Sequence, residues 1–174
     1  RDMRTTFAAG VTTTRTHPIL MAIIAIELFT GASSEPFDRL WTLHMLEIFE
    51  FPSPWGLNSL VWFGVIGAVA LLIGTVTTWF IRRIFDVDEP RTPRRLLAVI
   101  NASLIVSTLV FALSGSFALA VSMVIVTTVL RRISEPIADV WLIQHTESAY
   151  RATVFSLRGQ ANAFAQVALG PAMG

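Results

Sequence analysis

Acids, arginines and amides set inside apolar sequence are the residues of this 174-residue chain that could do chemistry. The densest set follows residues 96–130, a run without one charged side chain. Arg132, Glu135 and Asp139 fall at i, i+3 and i+7, so a helix places them on one face, and Arg131 with Glu135 has the i, i+4 spacing of an ion pair. A charge at the centre of a bilayer costs about 2.5–3.5 kcal/mol on insertion scales, so such residues must pair, face water or reach the headgroups. Pro136 adds a carbonyl freed one turn earlier, near Arg132, which a polar cavity could satisfy. Two readings follow: a charged wall of a substrate or proton pathway, or arginines that snorkel to the membrane surface.

Glu27 is the second candidate, an acid nine residues into the first apolar stretch. At mid-depth it either exchanges a proton or pairs with an arginine across the helices. Ser34 and Asp38 lie seven and eleven residues later, on the same helical face, while Glu35 and Arg39 have the spacing of a salt bridge with a gating or purely solvated role. Near the end of the chain, Gln160, Asn162 and Gln166 are amides able to hydrogen-bond a substrate or a neighbouring helix.

Other chemistries find no residues. The chain has no cysteine, hence no disulfide, thiol nucleophile or thiolate metal site. His17, His44 and His145 are isolated, so neither a metal site nor a cofactor is expected. No phosphate-cradling glycine loop or nucleophile elbow occurs, and the Glu35–Asp38 pair lacks a nucleophile or histidine to make an enzyme. A net charge of +1 gives no reason to expect nucleic acid as a partner.

The elements that must carry these residues follow from composition. Hydrophobic residues make up 53% and charged residues 14% of the chain, against about a quarter charged in soluble domains, and mean hydropathy is +0.64. A hydrocarbon core about 30 Å thick is crossed by about twenty helical residues. Residues 96–130 are too long for one crossing, so they must turn at Ser114, Gly115 and Ser116. The expected fold is all-α: a polytopic transmembrane helical bundle with five spans near residues 18–43, 57–81, 93–113, 116–141 and 151–174. Residues 1–17 precede it as a surface linker or short interfacial helix.

Within the first span a break is expected near Gly31 or Pro36, and Pro52 and Pro54 keep residues 47–55 out of regular helix. Gly64, Gly67 and Gly74 would let a neighbouring helix approach the second span, and Trp41 and Trp55 suit an interface. Asn101-Ala102-Ser103 spells a glycosylation acceptor, but inside a span. Arg1, Arg4, Arg15, Arg82, Arg83, Arg91, Arg94, Arg95 and Arg151 fall on one face if the spans alternate. The other face holds Arg39 beside acids, which makes the amino end cytoplasmic.

The segment Arg151-Ala152-Thr153-Val154-Phe155-Ser156-Leu157, followed by Gly170-Pro171, resembles the start and middle of the eleventh helix of the major facilitator superfamily of secondary transporters. Phe37-Asp38-Arg39-Leu40-Trp41 is similar to the end of that family's seventh helix. Arg132, Glu135 and Pro136 are similar to its fourth-helix arginine motif, shifted to the tenth helix by the family's internal repeat. Gly170-Pro171 with Gly174 looks like the glycine-proline motif of its antiporters, with Gln166 where the first glycine belongs. Residues 82–95 keep the charges of a family loop without its glycine.

The resemblance implies a carboxyl-terminal half covering helices seven to eleven, a fragment whose amino-terminal half supplies the opposite wall of a midplane site. It implies a small molecule moved by alternating access, with proton-coupled efflux as the direction the glycine-proline motif favours. Its setting would be a bacterial inner membrane. Gating or structural roles would fall to Glu35, Arg39, Arg151, Gly170 and Pro171. The alternative is a non-transporting scaffold or sensor of the same helical fold, in which the charges are packing pairs.

Overall fold

The computed structural model describes residues 11–12, 14, 16–52, 58–84, 89 and 91–173, the side chains of Arg82 and residues 169–173 excepted. Five long helices follow in order, α1 (Pro18–Ile48), α2 (Ser59–Ile84), α3 (Thr92–Ala112), α4 (Phe117–Gln144) and α5 (Arg151–Met173), with no strand among the described residues. Four of them, α1 to α4, are long and apolar enough to cross a membrane. The fifth is long enough, but Arg151, Arg158, Gln160, Asn162 and Gln166 interrupt its apolar sequence.

The helix boundaries have local causes. Pro18 sits at the first position of α1, where its missing N–H costs nothing. The Asn58 side chain accepts the Val61 N–H at 3.1 Å and caps α2. Pro93 lies in the first turn of α3. Ser116 Oγ accepts the Leu119 N–H at 3.3 Å at the start of α4, and Ser114 Oγ closes the end of α3 by donating to the Phe111 carbonyl at 2.7 Å. The hairpin expected from the charge-free run is therefore present, turning at Ser114–Ser116.

Two expectations change. The first helix does not break at Gly31 or Pro36: it is continuous to Ile48, five residues beyond the expected end. Pro36 lies within it, and the hydroxyls of Ser33 and Ser34 donate back to the carbonyls of Thr30 and Gly31 at 3.1 Å, holding the turn that precedes the proline. Gly64 and Gly67 have open space where a Cβ would stand, so they mark no close helix contact; Gly74 does, against the Arg132 stem. Thr14, in the segment expected to be a surface linker or short interfacial helix, is helical and buried. Trp55 lies outside the described residues.

The chain divides into two compact units, one of residues 1–40 with 141–174 and one of residues 41–140. In the first, Leu20, Ile23, Glu27 and Gly31 are buried at intervals of three and four along α1, one face of a helix. Val154, Arg158 and Ala165 are the buried residues of α5. In the second, Ile66, Ala70 and Gly74 of α2 and Ala120, Val124 and Thr127 of α4 form similar stripes. Thr127 and Ser107 of α3 share a buried hydroxyl hydrogen bond at 2.9 Å.

The Trp41, Phe51, Trp62, Phe63 and Phe117 rings meet edge to face at 5.1–5.5 Å between centroids. Trp62 Nε1 donates to the Pro52 carbonyl at 2.7 Å, fixing residues that could not extend the helix. Leu60, Leu72, Val76, Trp79 and Phe80 of α2 are exposed, an apolar surface that suits lipid and not water.

Candidate functional site: a buried ion pair and an amide relay

The first unit contains a polar network linking α1 and α5. Arg158 Nε donates to Glu27 Oε1 at 2.6 Å, and both side chains are nine-tenths buried. Asn162, one turn after Arg158, donates through Nδ2 to Glu27 Oε2 at 2.9 Å and lies 3.5 Å from the Glu27 backbone carbonyl. Gln166, one turn further, donates through Nε2 to Asn162 Oδ1 at 2.7 Å. Both carboxylate oxygens thus have a partner, which is the condition under which a buried charge is tolerated.

Helical spacing builds the site. Arg158, Asn162 and Gln166 stand at i, i+4 and i+8 on α5, while Glu27 and Gly31 stand at i and i+4 on α1. Gly31 sets the distance between these helices. A Cβ there would collide with the Asn162 carbonyl oxygen and stand 3.1 Å from Ala165 Cβ. The glycine that looked like a helix break is instead the contact that brings Glu27 within reach of α5.

Three of the four network residues, Glu27, Asn162 and Gln166, were expected to line a substrate or proton pathway. Glu27 takes the second of its two expected fates and pairs with an arginine. Arg158 was missed. An acid at mid-depth requires a counter-charge, and Arg158, seven residues after Arg151 and four before Asn162, is the basic residue standing well inside the last helix. That signal was available in the sequence.

Other expected residues stand apart. Ser34 bonds locally to the Gly31 carbonyl, and Asp38 is exposed; neither has a described bond to Glu27. Glu35 and Arg39 form the expected pair at 2.6 Å, with Arg39 71% exposed, which is a solvated contact of small energetic weight. Gln160 is exposed and reaches Ser156 at 3.4 Å. Arg151 Nε is buried without a hydrogen-bond partner among the described residues. Gly170 and Pro171 lie in the helical backbone of α5, and Gly174 lies outside the described residues.

The second unit holds the α4 charges. Arg132 and Glu135 are exposed, Arg131 and Asp139 half-buried. Glu135 has no side-chain hydrogen bond or ion pair among the described residues, so the expected Arg131–Glu135 pair is not formed. Ser134 Oγ instead donates to the Arg131 carbonyl at 3.1 Å. The Arg132 stem rests on Gly74 of α2, with Cδ 3.2 Å from where a Cβ would stand. No group of three or more metal-ligating side chains occurs among the described residues.

No family model, curated protein or solved structure matches this chain.

Proposed function

We propose that this chain is the carboxyl-terminal half of a secondary active transporter of the major facilitator type, moving a small molecule by alternating access. The observation that carries the proposal is the buried Glu27–Arg158 pair, extended by Asn162 and Gln166, which joins α5 to α1, a helix apolar enough to cross a membrane. Ionisable residues inside membrane helices mark ion or substrate routes as a rule, because their insertion cost is otherwise unrecovered. In this reading α5 is the fifth crossing: Arg158 and Asn162 are matched by Glu27, and Gln166 by Asn162. The arginine-rich ends of the spans support a cytoplasmic amino end.

The pair also supplies a two-state element. With α1 and α5 engaged, Glu27 and Arg158 neutralise each other. When the helices part, both charges lose their partner and need water or substrate in its place, which couples the site to helix motion. Exposed Arg132 and Glu135 require water or a further polypeptide beside α4, as the cavity and the other half of such a transporter provide.

Because the chain has no native cysteine, Gln166→Cys can be labelled with a membrane-impermeant maleimide in right-side-out and inside-out vesicles. Val167→Cys, on an exposed apolar position, serves as the lipid-facing control. The proposal expects position 166 to label from both sides and position 167 from neither. A residue 166 closed from both sides assigns the network to fixed packing, as in a scaffold or sensor.

A further inference from the structure

The relay has a fixed polarity, and the polarity selects a ligand. A carboxylate paired with arginine can only accept hydrogen bonds. The Asn162 atom 2.9 Å from Glu27 Oε2 must therefore be the amide nitrogen, as must any atom facing the Glu27 carbonyl. This leaves Asn162 Oδ1 towards Gln166, so the Gln166 atom at 2.7 Å must be its nitrogen. The charge at the root of the chain fixes both amide orientations. Gln166 Oε1 is the remaining end, and no described residue donates to it.

Every bond in the relay points its donor towards Glu27. The two amide dipoles are aligned, positive ends inward and negative ends outward, so the negative character of the carboxylate is passed along to Gln166 Oε1. In a medium of low dielectric such aligned bonds strengthen one another. A carbonyl oxygen at the end of such a chain favours a charged donor over a neutral one and repels an acceptor.

We infer that Gln166 Oε1 is a recognition point for a protonated primary or secondary amine, which makes the transported molecule an amine-bearing cation. The inference rests on the transport reading above and adds the chemistry of its substrate. A quaternary ammonium carries the charge without the N–H, and a carboxylate presents acceptors where an acceptor already stands. The site thus ranks primary amine first, quaternary ammonium second and carboxylate last.

Calorimetric titration of the full chain in lipid nanodiscs, with protein-free discs as blank, tests this with hexylammonium, trimethylhexylammonium and hexanoate. Hexylammonium is expected to bind at least tenfold more tightly than its trimethyl analogue, and hexanoate not to bind. Gln166→Met keeps the side-chain volume without the acceptor and should bring the ratio of the two cations close to one. Gln166→Glu should retain binding of both cations. Tighter binding of hexanoate, or a ratio unchanged in Gln166→Met, overturns the inference. Absence of binding by all three probes while position 166 still labels from both sides overturns the amine class and leaves the transport reading standing. Loss of two-sided labelling overturns the transport reading itself.

Discussion

Glu27 on α1 and Glu135 on α4 are the same residue type on long, apolar helices, and they meet opposite fates. Glu27 is 8% exposed and receives a guanidinium and an amide. Glu135 is exposed and has no side-chain partner among the described residues. The arginines divide in the same way: Arg158 is locked against Glu27, while Arg132 is exposed, its stem laid on Gly74. The first unit pairs Glu27 with Arg158 internally, so these two charges determine how α1 and α5 engage. In the second unit Arg132 and Glu135 are exposed, so they should matter little to its own stability and much to what lies against α4.

Breaking the first network should produce the largest effect. Arg158→Met leaves an unpaired buried carboxylate, and removing one partner of a buried pair costs about 3–5 kcal/mol. Unfolding in mixed micelles with rising dodecyl sulfate measures this, and a shift below ~1 kcal/mol would mean that Glu27 finds another partner. Gly31→Val comes next. Its added carbons meet backbone at Asn162, which cannot swing aside as a side chain could. A cost of about 1–3 kcal/mol is expected for such overpacking, together with weakened protection of the α5 amides from hydrogen exchange.

The second unit supplies the contrast. Gly74→Ala places a methyl 3.2 Å from Arg132 Cδ, which is the flexible part of a long side chain. The stem should shift at a cost within about 0.5 kcal/mol, read from the same unfolding in mixed micelles. Glu135→Gln should have the smallest effect on unfolding, near zero, because no described partner is lost. A loss above about 1 kcal/mol would show that Glu135 is paired inside the chain after all and would erase the difference between the two regions.

The sequence made the helices legible because their signals are long and local. The run over residues 96–130 demanded a turn, and Ser114–Ser116 provided one. Asn58, Pro18 and Pro93 are capping and first-turn residues with short-range causes. Gly31 and Pro36 were misjudged because their effect depends on tertiary contact: an isolated helix would weaken there, whereas packing against Asn162 requires the glycine and holds the helix continuous. Gly64 and Gly67 erred the other way, since small residues permit a close approach without causing one.

The candidate site was half legible for a related reason. Glu27, Asn162 and Gln166 are conspicuous as polar residues in apolar surroundings. That they meet one another depends on how α1 pairs with α5, and no periodicity within either helix encodes that pairing. Arg158 was overlooked beside the more prominent Arg131 and Arg132, although it stands one turn from Asn162. The requirement that a buried acid have a counter-charge was the stronger guide. Proximity in sequence to other charges was the weaker one.

The central claim is that the Glu27–Arg158 pair serves motion and not merely cohesion. Replacing both residues by apolar ones, Glu27→Leu with Arg158→Met, separates the two roles, since a buried pair exchanged for hydrophobic residues of similar volume often leaves stability unchanged or raised. In this double variant, two-sided maleimide labelling of Gln166→Cys is the direct measurement. A folded protein in which position 166 labels from one side only is the predicted result. A folded protein in which it still labels equally from both sides would contradict the account.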